Sequence, residues 1–300
     1  MPATDPFGGD FLERLEVLRA LLVRRAGDAK EGLRVSPERG GAVEFRDFRN
    51  YAPGDDLRYV DWNLFGRLGK LFVKEFARES ESTVYVLLDA SASMTRPSPG
   101  KYDAARRIAA ALAYLALAAG DAVTLAVYSA DRFETPGARR DPKTFAELLD
   151  FLRSREARGA SAFEGAAAAL LERAGTGGAN ARGAVAVISD LWVPVAEERA
   201  LSVLRARRFE PGLVQVLGRA ELAAPPRARY RVTDSETGEA LAVELDADAR
   251  ARYAAAVEEA SEAWQSACRR RGLAFVRALK DEPFERVVRA LLAPRAARAS

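Results

Sequence analysis

Thr83-Val-Tyr-Val-Leu-Leu-Asp89-Ala-Ser91-Ala-Ser93-Met94 is a short apolar run that ends abruptly in one carboxylate and two hydroxyls. Val84 to Leu88 has no polar interruption, as expected of a strand covered on both faces and not of one facing water. The Asp-x-Ser-x-Ser spacing falls where the chain leaves that strand. Alternate side chains of an extended segment point to one side, so the acid and the two hydroxyls can converge.

Working outward, strands and helices alternate. Tyr102 to Ala119 reads as a helix with Ala105, Ile108, Ala109, Leu112, Leu115 and Ala119 on one face. Ala122 to Tyr128 is a second buried strand, and Arg132 to Thr135 a short edge strand. Pro142 to Leu152 and Phe163 to Ala174 are helices around the loop Ser154-Arg-Glu-Ala-Arg-Gly159-Ala-Ser161. Ala184 to Ser189 is a third buried strand ending at Asp190, Pro194 to Arg207 is helical, and Leu213 to Leu217 is again a strand. This rhythm predicts an α/β fold with a doubly wound, mostly parallel sheet. In such sheets ligands gather beyond the carboxyl ends of the strands. Asp89 and Asp190 both follow buried strands directly, so the two carboxylates belong to one edge.

Hydroxyls and carboxylates are hard oxygen donors, suited to Mg²⁺ or Mn²⁺ and not to zinc. So few carboxylates leave a bound ion with a position open to water or to a partner's acidic residue. The competing reading is that Asp89 and its serines merely cap the following turn, where Ser and Asp are favoured. Asp190 after a second buried strand weighs against it.

Composition limits what such a site can do. The chain has 300 residues, is 49% hydrophobic and 30% charged, and is long enough for a full α/β domain with additions. Its 46 basic residues nearly balance 43 acidic ones, for a net charge of +3. The lysines are Lys30, Lys70, Lys74, Lys101, Lys143 and Lys280, and every other basic residue is arginine. No basic stripe beyond the short Arg295-Ala-Ala-Arg298 tail argues for nucleic acid, and none is expected as a partner. Cys268 is the single cysteine, which excludes intramolecular disulfides and cysteine-cluster metal sites. Histidine is absent, which removes Ser-His-Asp and Cys-His catalysis and the usual zinc sites.

The first ten residues lack a basic segment followed by an apolar core, so no secretory signal is expected. The most apolar segment, Ile108 to Ala119, is about half of the roughly 20 residues that span a bilayer. A cytoplasmic protein is the expectation. Phe11 to Arg25 reads as an amphipathic helix packing on the body of the protein. Val43 to Phe48 suggests a strand, Pro53-Gly54-Asp55 a turn, and Leu71 to Phe76 another strand. Arg49, Asp55, Asp56, Arg58 and Asp61 read as an ion network around that turn.

Two segments follow from this: residues 1–82, an N-terminal helix and signature region packing on the main domain, and residues 83–300, the main domain. Around 228–271 an insertion is expected. Tyr230 to Thr233 and Ala240 to Glu244 are strands joined by Ser235-Glu-Thr-Gly238, followed by a long helix that Asp246 or Asp248 caps and that runs to about Arg271. Trp264 falls on its apolar face as a core residue, and Cys268 reads as an inert buried thiol. Leu273 to Val276 is the last strand and Pro283 to Leu292 the last helix.

Asp89-Ala-Ser91-Ala-Ser93, the hydroxyl of Ser161 and Ile188-Ser189-Asp190 together resemble the metal-ion-dependent adhesion site of von Willebrand factor type A domains. The resemblance implies that the serines bind the ion directly, that Ser161, Asp89 and Asp190 bind it directly or through water, and that a partner's carboxylate completes the shell. That family usually has Thr where this chain has Ser161.

Arg49-Asn-Tyr51-Ala-Pro53-Gly54-Asp55-Asp56-Leu-Arg58-Tyr-Val-Asp61-Trp62, ahead of the Asp-x-Ser-x-Ser, resembles the signature of a bacterial family catalogued as domain of unknown function fifty-eight. Leu213-Val-Gln-Val-Leu217, Glu221-Leu222, Thr237-Gly238-Glu239 and Cys268-Arg-Arg-Arg-Gly272-Leu are similar to its C-terminal half, so the resemblance runs from about Arg39 to Leu292. It implies a non-enzymatic, cytoplasmic protein, usually encoded beside a MoxR-type AAA+ ATPase and acting as adaptor in the maturation or remodelling of other proteins. Some members carry transmembrane helices before the signature, and this chain is expected to lack them. The metal is not expected to be needed for folding.

Two functional classes remain. One is a binding module whose cation captures an acidic group on a partner. The other is a metal-dependent hydrolase in which the ion activates water. Against the second, the chain has no second acid pair suggesting a two-metal site and no G-x-x-x-x-G-K-[ST] loop for nucleotide.

Overall fold

The computed structural model describes residues 5–28, 45–51, 61–68, 70–76, 83–176, 182–193 and 198–293. The chain divides into two compact units, Met1–Lys30 with Thr83–Ser300, and Glu31–Ser82. The N-terminal helix, which the sequence grouped with residues 1–82, therefore belongs to the larger unit.

In chain order the elements begin with helix α1 (Phe11–Asp28) of the larger unit. The smaller unit then contributes β1 (Phe45–Asn50), α2 (Trp62–Leu68) and β2 (Phe72–Phe76). The strands β1 and β2 pair antiparallel, with an irregularity between Phe45 and Asp47. The helix α2 was not anticipated. Asp61 supplies its cap, accepting from the Leu64 amide at 3.1 Å. Asp55, Asp56 and Arg58 lie outside the described residues.

The larger unit continues with β3 (Thr83–Asp89), α3 (Lys101–Ala119), β4 (Ala122–Ser129), β5 (Arg132–Glu134) and β6 (Ala138–Arg139). Next come α4 (Phe145–Arg153), α5 (Phe163–Thr176), β7 (Gly183–Ser189), α6 (Arg199–Ala206), β8 (Phe209–Leu217) and α7 (Arg219–Leu222). The inserted hairpin is β9 (Ala228–Thr233) and β10 (Ala240–Leu245), followed by α8 (Ala247–Arg270), β11 (Ala274–Leu279) and α9 (Phe284–Leu291).

The central sheet runs β11-β8-β7-β3-β4-β5, with β6 also pairing β4. β3 pairs parallel with both β4 and β7, β7 with β8, and β8 with β11. The antiparallel pairs are those of β5 and β6 with β4. Period-two alternation sends Val86 and Leu88 into one apolar layer with α1, α3, α4 and α9. Tyr85 and Leu87 enter the other, with α5, α6 and Trp264 and Cys268 of α8. Both faces are thus covered, which is why the run reads as continuously apolar. This is the doubly wound, mostly parallel α/β fold expected from the sequence.

Where the boundaries differ from expectation, the reasons are local. The expected helix from Pro142 opens as a 3-10 turn, Pro142–Thr144, because Asp141 accepts from the Lys143 amide at 2.9 Å and tightens the entry. β8 starts at Phe209 and runs through Pro211, a residue that normally breaks a central strand. It is tolerated because β11 begins to pair only at Gly212, so Pro211 has a neighbour on one side alone. Of the helix expected from Pro194, Arg199–Ala206 is present and residues 194–197 lie outside the described residues. Among the described residues no helix is long and apolar enough to cross a membrane.

Candidate metal centre

β3 is the first central strand, and the chain passes from it to β4 on one side before returning to β7 on the other. The carboxyl ends of β3 and β7 therefore form the switch point of the sheet, where the outgoing loops diverge and leave a crevice. The parallel register pairs Leu88 with Ile188, so Asp89 arrives level with Ser189 and Asp190.

Asp89 is fully buried and has both oxygens engaged. Its Oδ1 accepts from the Ser91 amide at 2.8 Å. Its Oδ2 accepts from Ser161 Oγ at 2.6 Å and from Ser189 Oγ at 2.7 Å. Ser91 Oγ and Ser93 Oγ lie 2.9 Å apart and share a hydrogen bond. Four of the five residues singled out from the sequence are thereby joined in one cluster: Asp89, Ser91, Ser93 and Ser161. Asp190 is the fifth, also fully buried and near enough to raise the cost of charging Asp89. Ser189, quoted in the sequence motif but given no role there, is a member of the cluster.

Main-chain bonds fix the loop that carries Ser161. Arg158 donates to the Ala90 carbonyl at 2.7 Å, Ala92 to Gly159 at 2.8 Å and Ala130 to Ala160 at 2.8 Å. Gly159 has φ +79, a left-handed conformation that side chains disfavour. The loop is stapled in this way to the segments leaving β3 and β4, and Ser161 reaches Asp89 from a distance of 72 residues in sequence.

Asp190 is held by groups the sequence did not reveal. Lys101 is fully buried at the start of α3. Its Nζ donates to Asp190 Oδ2 at 2.9 Å and to Glu221 Oε1 at 2.6 Å. Glu221 in turn accepts from Trp192 Nε1 at 3.1 Å and from the Gly218 amide at 2.5 Å. Asp190 Oδ1 accepts from the Trp192 amide at 3.3 Å, and the Asp190 carbonyl accepts from Gln215 Nε2 at 3.1 Å. Leu191 between them has φ 57, rare for a branched side chain and a mark of a turn held by its surroundings.

Burial, and then the neighbouring Asp190, push the Asp89 carboxyl up to about 6, against the pull of the hydrogen bonds from Ser161, Ser189 and the Ser91 amide. The Lys101 ammonium pairs with Asp190 and Glu221, whereas Asp89, beside Asp190, is held by hydroxyl and amide donors.

This donor set fits a small hard cation. Every candidate ligand atom is oxygen, as Mg²⁺ or Mn²⁺ requires. Two ligand oxygens at right angles around an ion with metal–oxygen distances of about 2.1 Å lie about 3.0 Å apart, and the Ser91 and Ser93 hydroxyls match that spacing. Among the described residues no three carboxylate, thiol or imidazole groups converge, so this is a hydroxyl-rich centre and not an acidic cage. Both oxygens of Asp190 already accept hydrogen bonds, which suits it to act from the outer shell.

The sheet order and the oxygen cluster at its switch point define a von Willebrand factor A-type α/β protein with a candidate cation site. The chain belongs to the family described as "Protein of unknown function DUF58", whose model matches residues 47–281. Among solved structures it is similar to the conserved hypothetical protein BatB from Bacteroides thetaiotaomicron, with 16% identity over 72% of this chain and 99% of that one at a TM-score of 0.43. An aerotolerance-related membrane protein from Bacteroides fragilis gives 17% identity, 70% and 96% coverage and a TM-score of 0.42. A von Willebrand factor type A structure from Catenulispora acidiphila gives 17%, 49% and 35%, and 0.38. A comparison with curated proteins found no match.

Proposed function

We propose that this protein is a non-enzymatic protein-binding module that uses a metal-ion-dependent adhesion site, with Mg²⁺ or Mn²⁺ as its ion. The observation that carries the reading is the single hydrogen-bonded cluster of Asp89, Ser91, Ser93 and Ser161 at the switch point, with Asp190 beside it. When bound, the ion supplies a positive charge with a coordination position for a partner's carboxylate. Ser91, Ser93 and Ser161 contribute hydroxyl oxygens, Asp89 anchors them, and Asp190, oriented by Lys101, adds negative charge from behind. The partners are an AAA+ ATPase of the MoxR type and protein clients that present an acidic residue, with this chain as cytoplasmic adaptor in maturation or remodelling. That pairing rests on the family resemblance.

The test is Mg²⁺ titration by calorimetry, together with pull-down of the ATPase with and without chelator. Wild type binds the ion and captures its partner only without chelator, whereas Asp89→Ala loses both and remains folded by circular dichroism. Capture indifferent to chelator and to Asp89→Ala would sink the proposal. The competing reading, a metal-dependent hydrolase, requires turnover of generic phosphoesters that Asp190→Asn eliminates.

A further inference from the structure

The inserted hairpin extends from the same edge of the sheet as the cation site, because β8, which precedes it, is parallel to β3 and β7. Its turn is built by Asp234, whose Oδ1 accepts from the amides of Glu236 at 2.7 Å and Thr237 at 2.9 Å. Gly238 completes it at φ +77. None of these turn contacts uses the side chain of Glu236. That side chain instead crosses to the site, where Glu236 Oε2 accepts from the Ser161 amide at 3.1 Å. Ser161 therefore stands between two carboxylates, its amide on Glu236 and its hydroxyl on Asp89.

Among the described residues no ion pair holds Glu236, so a half-buried carboxylate rests on one amide at the rim of a site suited to a cation. Beneath it Asp89, Ser91 and Asp190 are fully buried. The end of the hairpin that carries the turn is weakly anchored. Its cross-strand pair Val232 and Leu241 is 50% and 69% exposed, so little apolar packing fixes it to the body.

We infer that Glu236 is the site's own-chain acidic ligand, standing at the approach an incoming carboxylate must use and displaced by it when a partner binds. This rests on the cation site proposed above. The charge of Glu236 complements the ion as a partner's acid would, and the turn presents it on an arm that can lift. A partner must therefore outcompete a tethered carboxylate, which selects for strongly acidic or multivalent surfaces over stray single acids.

The experiment uses the full chain, Mn²⁺ as probe ion and acetate as probe carboxylate. Calorimetry reads Mn²⁺ binding, and water-proton relaxation reads how freely water exchanges on the bound ion. Wild type and Glu236→Ala both bind Mn²⁺, and Asp89→Ala does not. Relaxation enhancement of the bound ion rises about twofold in Glu236→Ala, and acetate lowers it at concentrations severalfold below those needed for wild type. Equal enhancement and equal acetate sensitivity in wild type and Glu236→Ala, with Mn²⁺ bound to both, overturn the inference and leave the cation site standing. Failure of wild type to bind Mn²⁺ overturns both.

Discussion

Replacing Lys101 by Met removes the one cation between two buried carboxylates while keeping most of the side-chain volume. The Lys101 ammonium lies 2.9 Å from Asp190 Oδ2 and 2.6 Å from Glu221 Oε1, and all three side chains have 3% exposure or less. At an effective dielectric constant of about 20, each contact supplies about 6 kcal/mol of attraction, most of it offset by the desolvation of three charges. Loss of the lysine leaves that desolvation in place without the attraction, and removing one partner of a buried pair costs about 3–5 kcal/mol. For a domain of this size the melting temperature should fall by roughly 10 °C. Urea titration followed by circular dichroism measures the free energy directly. A double-mutant cycle with Glu221→Gln should show the two substitutions together costing at least about 1 kcal/mol less than their sum. A Lys101→Met protein within about 1 kcal/mol of wild type would refute the argument, since the triad would then be contributing no more than an exposed pair.

Other substitutions probe the surroundings. A Cβ at Gly218 would lie 1.9 Å from Ser98 Oγ and 2.2 Å from its Cβ, so Gly218→Ala must push apart the segments that aim Glu221. A loss of about 1–3 kcal/mol is expected in urea titration, and no loss would mean that the Ser98 segment is free to move. Trp264 is fully buried and packs edge-to-face with Phe163, their ring centroids 6.2 Å apart. Trp264→Ala should cost about 3–5 kcal/mol, read by thermal melting, and an unchanged melting temperature would contradict its core position. Burial pushes the Cys268 thiol up to about 12. Reaction with a disulfide reagent at pH 8 should therefore follow unfolding, being slow in buffer and complete in denaturant, and rapid labelling of the native protein would contradict this.

The sequence made the fold legible wherever a strand is buried on both faces. Val84–Leu88 and Ala184–Ile188 are unbroken apolar runs, Ala122–Tyr128 is interrupted only by Thr124, and each lies in a central strand. Local chemistry announced the insertion too, with Asp246 accepting from the Ala249 amide at 2.7 Å to start α8. Strand register then made most of the site readable, because an acid directly after a buried parallel strand has to lie on the shared edge. Lys101, Glu221 and Glu236 were not readable as parts of the site. Their contacts span 89, 120 and 75 residues, respectively, and nothing periodic links such positions. In the sequence Lys101 looks like a solvated residue after a Pro-Gly turn, and only the packing of α3 against the sheet buries it. The short helix α2 has no periodic signature in the sequence, because its apolar positions Trp62, Leu64 and Phe65 sit among charges and aromatics that read as irregular chain.

The backbone staples of the 158–161 loop suggest how such a protein diversifies. Arg158, Gly159 and Ala160 are positioned through their amides and carbonyls, so the side chains at 158 and 160 are free to vary without moving the Ser161 hydroxyl. A lineage, or an engineer, can therefore rewrite the rim while the oxygen cluster beneath it stays constant. Under the binding role proposed above, a change of partner then needs only a few surface substitutions, with no need to rebuild the centre.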